Sequence, residues 1–308
     1  MLSPLSSPRV GLIAPSGPPL DADRLTAGLR SLEARGIQIV QARTDYAPSG
    51  YLAGSDQARL AELHGLMARD DLDIVLCVRG GYGTLRLLDG IDYAAAATHP
   101  RILVGYSDIT ALQWALHARS GWTGLSAAMV GVEWPEPCDS WEPQFWQLLN
   151  GEAGVSLGPA DGSVPKTMVA GSAHGKLMGG NLAMITRLLG TKYMPDLTGA
   201  ILFLEDVGEQ PYRIDGMLAH LRLAGVLDQL GGVILGAFTD SDPTPGRPSF
   251  SVDEVLSQYF AEAPYPVVTG WNYGHFPVKV NMPIGIQARL SANSESVTLQ
   301  TTESLLPR

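Results

Sequence analysis

The sequence predicts an α/β protein of two domains, the first a mostly parallel sheet flanked by helices, and three observations predict it. Short apolar runs of strand length alternate with amphipathic runs of helix length through the first half of the 308 residues. Two turns, Arg79 to Gly83 and Gly105 to Asp108, directly follow apolar runs, at the strand ends where parallel sheets carry their sites. Between about Val132 and Thr167 the alternation decays into Pro- and Gly-rich stretches and then resumes, which marks a domain boundary. The expected domains are 1–160, with the linker at its end, and 161–308, the second of α/β or β-rich character.

The elements follow in order. Val10 to Ala14 reads as a strand, and Asp21 to Arg35 as a helix with Leu25, Leu29 and Leu32 on one face and Gly36 as its stop. Ile37 to Val40 is a second strand. After a loop holding Tyr46 to Gly54, Asp56 to Arg69 is helical, and Asp73 to Val78 is a buried strand that runs into Arg79-Gly80-Gly81-Tyr82-Gly83. A short helix through Leu85 to Leu88 precedes the strand Ile102-Leu103-Val104, the turn Gly105-Tyr106-Ser107-Asp108 and a helix from Ile109 to Leu116. Within the boundary region, Trp141 to Leu149 is helical. The second half opens on His174 to Asn181, followed by a helix carrying Leu182, Ile185, Leu188 and Leu189 and stopped by Gly190. Ile201 to Leu204 is a strand ending in Glu205. A helix with Ile214, Leu218, Leu221 and Leu223, a strand Val233 to Leu235, a polar loop Thr239 to Arg247, a helix Val252 to Phe260, a strand at Val267-Val268 and a terminal β segment through Leu299 complete the chain.

Composition narrows the function. Apolar residues make up 45% and charged residues 17%, a globular balance, and the net charge of −10 comes without a basic cluster able to neutralise several phosphates. Nucleic acid and anionic membranes are excluded as expected partners. No run approaches the ~20 apolar residues of a spanning helix, and Met1-Leu2-Ser3-Pro4 lacks a basic leader, so a cytoplasmic location is expected. The two cysteines, Cys77 in a strand and Cys138 in a Pro-rich loop, make no disulfide framework. No paired-histidine helix motif or cysteine cluster is present, so neither a metal nor another cofactor is expected.

Ser107 lies on a strand-to-helix turn, which lifts a hydroxyl out of the sheet and places it beside the free N–H groups of the following helix. A serine hydroxyl needs a base within hydrogen-bond reach, itself oriented by a third group. Of the six histidines, His64, His117 and His220 fall in helical patterns and His99 precedes a proline, all read as surface or structural; His174 opens the second domain. His275 is the best candidate base, in the Gly-, Asn- and aromatic-rich loop Asn272 to Pro277. Glu205, closing an apolar strand, suits the orienting acid, with Asp206 and Glu209 as competitors; equally, these acids suit the start of the next helix. The Gly80-Gly81-Tyr82-Gly83 loop lacks the dinucleotide spacing and makes more sense as the second oxyanion donor, beside the N–H of Asp108. The general hydrolase elbow has glycine two positions after its serine; here it is Ile109.

Taken together, Val78 to Gly83, Gly105 to Thr110, Gly175 to Leu182, Leu202 to Val207 and Gly274-His275 resemble the LD-carboxypeptidase family of serine peptidases, over nearly the whole chain. That family includes muramoyl-tetrapeptide carboxypeptidases and microcin C immunity peptidases. The resemblance implies a Rossmann- or flavodoxin-like nucleophile domain facing a second domain across a cleft, usually in a homodimer. It also implies a triad of Ser107, Glu205 and His275, with backbone donors at Asp108 and at Gly80 or Gly81. The implied reaction is release of a terminal D-alanine from a muropeptide, without a cofactor. Arg79 is the first expected contact for the free carboxylate, with Arg213 and Lys279 behind it, and Tyr82 and Tyr106 are further expected substrate contacts. Many members carry His-Gly-Pro before a Met where this chain reads Leu125-Ser126-Ala127-Ala128-Met129, which bears on substrate preference. Alternatives are a peptidyl-nucleotide immunity peptidase, a catalytically silent small-molecule-binding homologue, and a nucleotide-dependent enzyme using the Gly80 loop.

Overall fold

The computed structural model describes residues 9–41, 43, 46–159 and 161–306, and the chain forms two compact units. The first takes in the chain up to Glu152 together with Lys192–Pro195 and the end from Ser304; the second comprises Ala153–Thr191 and Asp196–Glu303.

In the first unit the elements are β1 (Arg9–Ile13), α1 (Ala22–Glu33), β2 (Gln38–Gln41), α2 (Asp56–Met67), β3 (Ile74–Cys77), α3 (Tyr93–Thr98), β4 (Ile102–Val104), α4 (Ile109–Ser120), β5 (Thr123–Ser126) and α5 (Glu142–Leu149). The strands β5, β4, β3, β1 and β2 lie side by side in that order, each pair parallel. This is the doubly wound flavodoxin-like order, whose direction of winding reverses between β1 and β3. All four residues of β3 and all three of β4 are buried, as expected of central strands covered on both faces. Helix starts follow from local chemistry: the Asp21 carboxylate accepts from the Asp23 and Arg24 N–H groups, and Ser55 Oγ accepts from Ala58 N–H. The short helix expected at Leu85 to Leu88 is two 3₁₀ turns, Thr84–Arg86 and Leu88–Gly90. The end of the chain returns to this unit, with Leu305 O accepting from Thr123 Oγ1.

The second unit holds β6 (Lys166–Val169), β7 (Gly171–Asn181), α6 (Leu182–Thr186), β8 (Ile201–Val207), α7 (Pro211–Leu223), β9 (Gly232–Thr239), α8 (Val252–Phe260), β10 (Val267–Thr269), β11 (Met282–Ile284), β12 (Ile286–Ala292) and β13 (Val297–Thr301). Its sheet runs β13-β12-β7-β8-β9-β10-β6. The centre, β7 to β10, is parallel, and β12, β13 and β6 join antiparallel at the flanks. His174 to Asn181, to which the sequence pattern assigns no element, belongs to an eleven-residue strand. The helix after it stops at Thr186, earlier than the apolar spacing to Leu189 suggests. A full capping box at Ser251 and Glu254 starts α8. No helix among the described residues is long and apolar enough to cross a membrane.

Candidate active site

In the first unit, Ser107 occupies the turn between β4 and α4 and is half-buried, with a backbone φ of 66°. Left-handed backbone is rare for a residue with a side chain, and here it turns the chain sharply from strand to helix. Buried side chains over-determine this conformation. Asp108, 3% exposed, accepts from Ser16 Oγ at 2.7 Å and from the Thr84 N–H at 3.0 Å, while Thr84 Oγ1 donates to Asp108 O at 2.6 Å. These bonds tie the loops after β1 and β3 to the serine turn. Behind the turn, Gln113 Nε2 donates to the carbonyls of Leu103, Gly105 and Leu125.

Two of the first N–H groups of α4 are already engaged: Ile109 donates to Tyr106 O and Thr110 to Ser107 O. That leaves the Asp108 N–H as the donor next to the serine. The glycine loop reaches the same place. A Cβ built on Gly80 would lie 3.0 Å from Ser107 Cβ and 3.4 Å from its Oγ, so only a residue without a side chain permits this approach. The Gly80 carbonyl points away, accepting from Gly17 N–H, and Gly81 follows in the exposed part of the loop.

The neighbouring candidates separate by environment. The half-buried guanidinium of Arg79 packs over Gly17 and Gly81 and donates to Pro18 O at 3.1 Å; among the described residues no carboxylate forms an ion pair with it. Burial pushes it below the ordinary guanidinium value. Tyr82 is exposed and meets Tyr51 edge-on at 5.2 Å. Tyr106 faces inward, 6% exposed, its hydroxyl donating to Glu133 Oε1 at 2.8 Å, while Glu133 Oε2 accepts from Met129 N–H. The segment Leu125 to Met129 is buried beside the serine turn, with Leu125 O accepting from Gly105 N–H.

In the second unit, β8 carries Glu205 into the interior, where its side chain is fully buried, and His275 Nδ1 stands 2.6 Å from Glu205 Oε2. A carboxylate only accepts, so Nδ1 carries the proton and Nε2 is the ring nitrogen that bears the basic lone pair. The loop bearing His275 is anchored to β9: Ala237 N–H donates to Tyr273 O, and a Cβ on Gly236 would come within 2.4 Å of that oxygen. Lys279, 2% exposed, donates to Phe276 O at 2.9 Å, so it holds this loop.

The other acids are occupied elsewhere. Glu209 pairs with Arg213 at 3.6 Å. Asp206 accepts from Asn181 Nδ2 and from the Ala183 and Val207 N–H groups; burial and the adjacent Glu205 charge push its carboxyl up to about 6. The remaining histidines have other partners where a bond is seen: His64 accepts from Asp92 N–H, His99 meets Thr98 Oγ1, His117 meets Trp122 O, and His174 meets Thr302.

Ser107, Gly80, Gly81, Asp108 and Arg79 are therefore gathered in the first unit, and Glu205 with His275 in the second. Ser16, Thr84, Gln113 and Asn181 were not singled out from sequence. Ser16 carried a signal, directly after a strand and a proline, and Asn181 lies in the Gly175 to Leu182 block, whereas Thr84 and Gln113 are ordinary polar residues whose partners no local pattern names.

Comparison with known proteins matches residues 10–127 to the LD-carboxypeptidase N-terminal domain and residues 174–290 to the LD-carboxypeptidase C-terminal domain. A probable murein peptide carboxypeptidase of Bacillus subtilis is 35% identical over 94% of this chain and 91% of its own length. The murein tetrapeptide carboxypeptidase of Pseudomonas aeruginosa is 34% identical, covering 92% and 94% respectively. The microcin C7 self-immunity protein of Escherichia coli is more distant, at 25% identity. The crystal structure of muramoyltetrapeptide carboxypeptidase from Oxalobacter formigenes superposes with a TM-score of 0.86 at 29% identity, covering 96% of this chain and 99% of that one. With both domains matched in order and relatives aligned almost end to end, the chain is a peptidase that belongs to the LD-carboxypeptidase family.

Proposed function

We propose that this peptidase is a serine LD-carboxypeptidase that releases a terminal D-alanine from muropeptides, with Ser107, His275 and Glu205 as its triad. The observation that carries the reading is the 2.6 Å contact of His275 Nδ1 with the buried Glu205 carboxylate, which leaves Nε2 as a base. In the reaction, His275 Nε2 takes the Ser107 proton as Oγ attacks the terminal peptide carbonyl, and Glu205 stabilises the imidazolium. The oxyanion forms against the N–H groups of Asp108 and of Gly80 or Gly81. His275 then protonates the departing amine, D-alanine leaves, and water attacks the acyl-enzyme with His275 again as base.

An exopeptidase must also hold a free carboxylate. Arg79, beside the glycine loop and without an acidic partner among the described residues, supplies a planar fork for it. Names of relatives at 34% and 35% identity support a murein peptide substrate over the microcin-type alternative, whose representative stands at 25%. A cytoplasmic location and a homodimer belong to the same reading.

Incubation with a tetrapeptide ending in D-alanine and with its L-alanine epimer, followed by mass spectrometry, tests it. Loss of one alanine from the D form alone is expected; an untouched D form, or equal cleavage of both, overturns the assignment.

A further inference from the structure

Behind the Glu205–His275 pair lies a second layer of buried polar groups to which the reaction above assigns no role. Asn181 ends β7 and sits directly across from Glu205 in the parallel pairing with β8. Asn181, Glu205 and Asp206 are 6%, 0% and 2% exposed, a concentration of polar groups that a core tolerates only when each is hydrogen-bonded.

The backbone shows how two consecutive acids reach one amide. Neighbouring residues of a regular strand point to opposite faces. Here the β8–β9 pairing shifts between Leu204 and Asp206: Leu204 faces Leu235 and Asp206 faces Phe238, so β9 carries one residue more than β8. Such a bulge twists the strand pair locally and re-aims side chains. Beside this irregularity, Glu205 and Asp206 both meet the side chain of Asn181.

The bonds have a direction. Asn181 Oδ1 accepts from Met184 N–H at 3.1 Å, which sets which end of the carboxamide is oxygen. Its Nδ2 donates to Asp206 Oδ1 at 2.8 Å, and the longer contact, 3.4 Å, runs to Glu205 Oε1. Asp206 is fixed in turn by the Ala183 and Val207 N–H groups at 2.9 and 2.8 Å. With Oε1 faced by Asn181, the other oxygen of Glu205 is the one presented to His275.

We propose that Asp206 and Asn181 are positioning residues of this peptidase, Asp206 orienting the Asn181 carboxamide and Asn181 holding the Glu205 carboxylate in the rotation that serves His275. The inference rests on the triad reading. Asp206 is thereby not a spare triad acid but the anchor of the one in use.

A double-mutant cycle tests it, with D-alanine release from the tetrapeptide as readout. Asn181→Ser is the variant of choice, because a serine hydroxyl still caps α6 but is too short to span Asp206 and Glu205. Alone it is expected to lower kcat about 10- to 100-fold with KM changed less than threefold, the scale seen when supporting hydrogen bonds behind a functional group are removed. In a Glu205→Ala background the same change is expected to lower kcat less than threefold, since no carboxylate remains to be oriented. Asp206→Asn should follow the same pattern. A readout independent of turnover is the low-field proton resonance of His275 Nδ1–H, expected in the wild type and broadened or shifted upfield in Asn181→Ser. Losses that multiply independently in the Glu205→Ala background, or an unaltered kcat and imidazole resonance in Asn181→Ser, overturn the inference while leaving the triad standing. Full activity of Glu205→Ala itself overturns the triad and this inference with it.

Discussion

Gly80 approaches Ser107 so closely that a methyl group on it would sit 3.0 Å from the serine Cβ and 3.2 Å from Tyr106 O. The Gly80 backbone is not left-handed, so alanine there is a steric intrusion rather than a conformational one. Gly80→Ala is expected to lower kcat/KM by about 10² to 10³, the range for loss of one oxyanion donor, with little change in Tm. Wild-type kinetics would remove Gly80 from the site.

Ser107 holds a left-handed backbone that a residue with a Cβ adopts at a cost of about 1–2 kcal/mol. Ser107→Ala keeps that strain and Ser107→Gly releases it. Both are expected to lose turnover on the order of 10⁶-fold, while the glycine variant is about 1 kcal/mol more stable than the alanine one in urea unfolding. Equal stability would mean the turn relaxes freely.

Glu205 meets His275, and Glu209 meets Arg213. Glu205→Gln should therefore reduce kcat by about 10⁴, by stabilising the wrong imidazole tautomer, and Glu209→Gln should leave it within about threefold. The reverse ranking in steady-state kinetics would transfer the acid to Glu209.

Arg79, if it grips the substrate carboxylate, acts on binding. Arg79→Ala is expected to raise KM about tenfold or more with kcat changed severalfold at most, measured on the D-alanine tetrapeptide. A loss confined to kcat contradicts that role.

Asp206 links stability to pH. Its carboxyl titrates at about 6 in the fold against 3.8 when unperturbed, because burial and Glu205 disfavour its charge. Between these values the folded chain binds more protons than the unfolded one, so this group's contribution is full below 3.8 and is lost as pH rises through about 6. The effect is on the order of 3 kcal/mol at most. Thermal unfolding from pH 3.5 to 7 should show Asp206→Asn gaining on the wild type as pH rises; parallel curves would contradict it.

Much of the framework was legible because its signals are local. The apolar runs of β1, β3, β4 and β8 and the amphipathic spacing of α1 each act within a few residues. β7 escaped notice because Gly171, Gly175, Gly179 and Gly180 erase its side-chain alternation, and β5, only four residues long, shows too little of it. The turn at Ser107 and the carboxylate closing β8 could be singled out as candidates, being punctuation at strand ends.

By itself the sequence determined the alternating architecture, the family, and the short list of a serine, a histidine and three neighbouring acids. Tertiary structure alone decided that Glu205, seventy residues from His275, is the acid that meets it, and that Asp108 is locked to Ser16 across ninety-two residues. The physical reason is range. Periodicity and capping are written in adjacent residues, whereas a hydrogen bond inside a core depends on strand register and on a bulge that only the assembled sheet imposes.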